Sequence, residues 1–175
     1  SNFLKVREQL HYSVSEILVS CGGRPLIYAV FRAICDAGDK VIYAVPSWNN
    51  NHYAHFVGGE HVVIEAGPET NFMPSVNDIR KHLPGATLLS LCSPQNPTGT
   101  TFTKQDLEAI CDMVLEENLR RVPGEKKLYI MYDQMYRYLT FGSTVHYNPV
   151  SLRPAMKDFT VFIDAISKVF AATGV

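Results

Sequence analysis

Short runs rich in β-branched and aromatic residues alternate with longer stretches of helical period, and this alternation constrains the fold of the chain more than any other feature. The strand candidates are residues 16–20, 40–45, 61–66, 87–92, 127–132 and 160–166. The fourth, Thr-Leu-Leu-Ser-Leu-Cys, and the Leu-Tyr-Ile-Met-Tyr stretch of the fifth are almost continuously apolar, as strands covered by helices on both faces are. The pattern predicts an α/β fold: a mostly parallel central sheet with helices on both faces, in three α/β/α layers. At 175 residues, 46% of them apolar, the chain is long enough to bury one core without a disulfide or metal staple.

Between the strands, Leu26, Val30 and Ile34 recur at four-residue spacing beside Ile27 and Phe31, predicting a helix over 25–35 that Gly38 ends. Pro25 suits a first helical position. Ser75 with Asp78, and Thr103 with Asp106, resemble capping boxes and open helices over 76–83 and 104–118. Residues 120–127, charged and containing Pro123-Gly124, read as a surface loop.

Sixteen basic against seventeen acidic residues give a net charge of −1, which disfavours nucleic acid and anionic membranes as partners. Cys21, Cys35, Cys92 and Cys111 lack metal-site spacing and read as the reduced thiols of a cytoplasmic protein. No apolar stretch reaches the ~20 residues of a membrane span. His52 and His55 are three residues apart but have no third ligand nearby, so no metal site is expected.

In a doubly wound sheet, ligands bind beyond the carboxyl ends of the strands, so the loops after them carry the candidate chemistry. Gly22-Gly23-Arg24-Pro25 leads into a helix, where free backbone N–H groups favour a phosphate; a plain tight turn uses the same residues. Trp48, the only tryptophan, is either a platform for an aromatic ligand or a packing residue. Asn96 lies in the stiff Ser93-Pro94-Gln95-Asn96-Pro97-Thr98-Gly99 turn, as a fixed amide or an incidental loop residue. Asp133 follows an apolar strand, where a buried carboxylate needs a cation or strong donor opposite it. Lys168 follows another, where desolvation would disfavour the ammonium and free a nucleophilic amine; the alternative is a snorkelling surface lysine. Together these groups form one compatible set of contacts for pyridoxal 5′-phosphate (PLP).

The stretches Pro46-Ser47-Trp48, Ser93 to Gly99, Tyr132-Asp133-Gln134-Met135-Tyr136 and Ser167-Lys168-Val169-Phe170-Ala171-Ala172-Thr173-Gly174 resemble, in order and spacing, the class I/II aminotransferases of PLP fold type I. The resemblance implies a homodimeric enzyme that transfers an amino group between an L-amino acid, aspartate being the commonest case, and a 2-oxo acid. It implies that Lys168 forms the internal aldimine and shuttles protons, that Asp133 pairs with the pyridinium nitrogen, and that Tyr136 and Asn96 hydrogen-bond the ring oxygen. Trp48 would stack on the ring, with Gly22, Gly23 and Arg24 at the phosphate positions. Where the family usually has Gly or Ser, three residues before the lysine, this chain has Ala165, and Ser167 is the substitute contact expected.

Relative to that family the chain reads as part of the large PLP-binding domain over 1–175, incomplete at both ends. The small domain and the arginines that grip phosphate and substrate carboxylate would lie outside it. A gap or open edge in the sheet, weak or absent PLP binding, and no activity of this segment alone are therefore expected. A PLP-dependent lyase on the same fold, or a non-catalytic aminotransferase-like domain, would present the same cofactor motifs.

Overall fold

The computed structural model describes residues 1–174. Helix α1 (Asn2–Glu8) precedes α2 (Gly23–Ile34), after which strands and helices alternate: β1 (Lys40–Val45), α3 (Asn50–Phe56), β2 (Glu60–Glu65), α4 (Val76–His82), β3 (Ala86–Cys92), α5 (Lys104–Arg120), β4 (Tyr129–Asp133), α6 (Pro149–Leu152), β5 (Thr160–Ile163) and the short α7 (Ile166–Val169). All five strands are parallel, in the order β2-β1-β3-β4-β5.

Side-chain alternation along each strand builds two cores, one on each sheet face. On β1, Val41 and Tyr43 pack with Ile27, Phe31, Tyr53 and Ala54 from α2 and α3. Ile42 and Ala44 point the other way, into Ile79, Leu107, Ile110 and Val114 of α4 and α5. Strand β3, at the sheet centre, is buried through Leu91, which accounts for its unbroken apolar run. The three-layer α/β/α architecture is as the alternation predicts.

Local signals act as expected, with adjustments. Ser75 and Thr103 cap α4 and α5 by accepting the N–H of Asp78 and Asp106. Each aspartate then accepts the capping hydroxyl instead of reaching back to the cap N–H, because its side chain is a methylene shorter than glutamate. Helix α5 runs two residues beyond the predicted end, to Arg120.

The predicted strand over 16–20 is not formed. Val14–Glu16 is a 3-10 turn closed by Glu16 accepting from the backbone N–H and hydroxyl of Ser13. The residues after it leave Leu18 and Val19 73% and 86% exposed. An extended segment becomes a strand only against a ladder partner, and among the described residues nothing pairs with this one. The sheet therefore ends at β5, which pairs with β4 alone. Strand β5 is also shorter than predicted, stopping at Ile163.

Candidate active site

Parallel pairing delivers the carboxyl ends of β1, β3, β4 and β5 to one rim, where the start of α2 joins them around a cleft of about 480 Å³. Gly22, Gly23, Arg24, Trp48, Asn96, Asp133, Tyr136, Ser167 and Lys168 all line it. The nine candidates thus reach the same cavity from five separate segments of the chain.

Gly22, the N-cap of α2, has φ 153° and ψ 170°, backbone that only glycine adopts readily. Its lack of a side chain leaves the first-turn N–H groups of α2 without a side-chain cap. At Gly23, a Cβ would come within 2.5 Å of the Met135 side-chain end, so glycine keeps this wall close to the β4 turn.

Trp48 sits on the loop between β1 and α3, 40% exposed, with the Arg24 guanidinium 4.6 Å from its ring centre. Two amides hold this loop. Gln95 Nε2 donates to the Pro46 carbonyl at 2.7 Å. Asn50 Nδ2 donates to Ser47 Oγ at 3.3 Å while its Oδ1 accepts from Ser90 Oγ at 2.7 Å. Asn50 and Ser90 line the cleft, and the sequence reading missed both. A hydroxyl set between leucines in the apolar run of β3 was the available signal for Ser90; Asn50, the middle residue of three consecutive asparagines, carried none.

The turn after β3 is closed by Gly99, whose N–H donates to the Gln95 carbonyl. It presents Asn96 Nδ2 to the Tyr136 hydroxyl at 3.2 Å. Asp133, the last residue of β4, accepts one hydrogen bond, from the Met135 N–H at 3.0 Å. Burial, with a smaller contribution from Asp164, pushes its carboxyl up to about 6. Among the described residues no cationic side chain forms an ion pair with it. Burial and the Asp133 charge also raise the Tyr136 phenol, which Asn96 opposes.

Lys168 differs from expectation. It stands in α7, past the end of β5, and its side chain is exposed. The desolvation inferred from a strand-end position is absent, because the shortened β5 places the lysine on a helical turn at the cleft mouth. Ser167 beside it lines the same mouth.

Among the described residues, no three His, Cys, Asp or Glu side chains cluster as metal ligands, and no helix is long and apolar enough to cross a membrane. A family model for class I and II aminotransferases matches residues 1–175. The chain belongs to this family. Its relatives include an aspartate aminotransferase of a Bacillus species, 30% identical over 95% of this chain and 41% of its own length. A probable aspartate/prephenate aminotransferase of Rickettsia prowazekii is 33% identical over 99% of this chain and 42% of its own. Among solved structures, Thermus thermophilus aspartate aminotransferase with maleate superposes at a TM-score of 0.87, with 28% identity over 99% of this chain and 42% of that one. This aminotransferase-family chain thus spans about two fifths of the length of the curated relatives it matches.

Proposed function

We propose that the chain is the cofactor-binding part of a PLP-dependent aminotransferase that moves an amino group between an L-amino acid, aspartate among the candidates, and a 2-oxo acid. The observation that carries this reading is Asp133: a half-buried carboxylate held by one backbone N–H, raised to about 6, with no cation beside it, facing a cleft lined by the other eight candidates. A protonated ring nitrogen is the partner such a group lacks, and the residues present fit PLP on that ground.

When bound, PLP supplies an electron sink for the negative charge that develops at the substrate Cα. Asp133, raised to about 6, would be mostly ionised at neutral pH and would hold the proton on the ring nitrogen. Asn96 and Tyr136, already linked at 3.2 Å, orient the ring through its oxygen. Trp48 would cover a ring face, while Gly22, Gly23, Arg24 and Ser167 would hold the phosphate through backbone N–H groups, a guanidinium and a hydroxyl. Lys168 Nζ, at the cleft mouth, would be the amine that holds the cofactor's aldehyde carbon and the base that moves the proton at the substrate Cα. The aminotransferase resemblance supports assignment of 1–175 to the large domain of a homodimer, and the free thiols support a cytoplasmic setting.

In the full-length protein, PLP is expected to quench Trp48 fluorescence and to become attached to Lys168 on borohydride reduction. Lys168→Ala should lose that attachment and at least about 100-fold in amino-group transfer while keeping its far-ultraviolet circular dichroism. Normal turnover by Lys168→Ala refutes the assignment. Stoichiometric pyridoxamine phosphate on adding an amino acid marks transamination, whereas a 2-oxo acid with free ammonia marks the lyase reading.

A further inference from the structure

A second carboxylate lies one strand over from Asp133. Asp133 pairs in register with Ile163 at the end of β5, and Asp164 follows directly. Only Asp133 lines the cleft; Asp164 does not. The difference traces to Arg137, on the turn after β4, which is folded back by Arg137 N–H donating to the Gln134 carbonyl and Gln134 N–H donating to that of Ile163. The Arg137 side chain is 2% exposed, with Nη2 2.5 Å from Asp164 Oδ2 and Nη1 3.2 Å from Glu8 Oε1. The rings of Phe3 and Tyr138 flank its guanidinium at 5.6 and 4.7 Å, and the Tyr138 hydroxyl donates to Glu8. Helix α1 thus closes over a buried cation that pairs with Asp164 outside the cleft lining.

We propose that Arg137 is a positioning residue for the cleft: by engaging Asp164 it compensates the second strand-end carboxylate and keeps it turned away, leaving Asp133 as the one that meets a cation in the cleft. The cation's identity as a PLP ring nitrogen rests on the proposed function; the coupling between Arg137, Asp164 and Asp133 does not. Two half-buried carboxylates on adjacent strand ends titrate as a pair unless one is matched by a fixed positive charge. The other groups around Asp133 are Cys92 from β3, Tyr53 from α3 and Tyr136 from its own turn, with Arg24 of α2 and Lys168 of α7 across the cleft. None of them contacts Asp164 in place of Arg137.

The test is a 13C-carboxyl NMR titration of the full-length protein without added PLP, with the Asp133 signal assigned by its loss in Asp133→Asn. Arg137→Met should raise the Asp133 midpoint by about one unit or more, tenfold in proton affinity. Asp164→Asn should lower it, and the double variant should match Asp164→Asn. An unchanged midpoint in Arg137→Met, or a raised one that Asp164→Asn fails to reverse, overturns the proposal. Should Arg137→Met not fold, Asp164→Asn decides alone: a lowered midpoint supports the coupling and an unchanged one refutes it. PLP quenching of Trp48 in the same variants reports separately on the cofactor reading. A coupling seen without any quenching in the unmodified protein would sink that reading and leave this one standing.

Discussion

Two half-buried titratable residues pull the pH dependence of stability in opposite directions. Burial, helped by the Arg137 charge, presses the His146 imidazole down to about 4. The native state therefore binds fewer protons there than the unfolded chain, and stability is lost as pH falls from about 6.5 toward 4, by up to about 3 kcal/mol. His146→Gln should flatten that limb in urea titrations. Asp133, raised to about 6, works the other way: the native state holds its proton longer, so the group costs stability as pH rises from 3.8 to about 6. Asp133→Asn should leave stability unchanged below pH 4 and add up to about 3 kcal/mol above pH 7 without PLP, read by thermal denaturation. The residue proposed to serve the cofactor is thus one that the unliganded fold would be more stable without.

At the scale of elements, the joint between α5 and β4 depends on one side chain. Buried Asn118 donates to the Leu128 carbonyl and accepts its N–H, both at 2.8 Å, bridging the backbone just before β4 begins. Asn118→Ala strands two buried backbone groups and should cost about 2–4 kcal/mol in urea unfolding. Thr103→Ala, at the exposed opposite end of α5, removes a cap and should cost about 1 kcal/mol in the same assay. Periodicity and turn chemistry made all five sheet strands legible in the sequence, because each is defined by its own apolar pattern. Residues 16–20 carry a pattern of the same kind and were misread, since strand formation also needs a neighbour, which no local pattern reveals. The candidate site was legible where ionisable residues stand at or beyond the carboxyl ends of apolar strands, as Asp133 and Lys168 do. Asn50, Glu8 and Arg137 were not, because their parts arise from contacts between segments far apart in the chain.

Over the whole molecule, the edge at β5 is the exposed flank. Val161 on that strand, Leu18 and Val19 before α2, and Ile166 and Phe170 around α7 all present apolar surface. A protein of only these 175 residues should self-associate at micromolar concentration, and Val161→Lys should shift its sedimentation toward monomer. The opposite rim is built differently. There the amino ends of the strands are bound by Lys126 to Asp36 and Asp39, by Lys40 Nζ to the Pro84 carbonyl and by Arg121 to the Ala86 carbonyl, away from every cleft residue. One-way strand direction has separated the scaffold's fastenings from its working groups. A fluorophore or affinity handle grafted at Gly124 would ride on the molecule's underside, out of reach of whatever enters above.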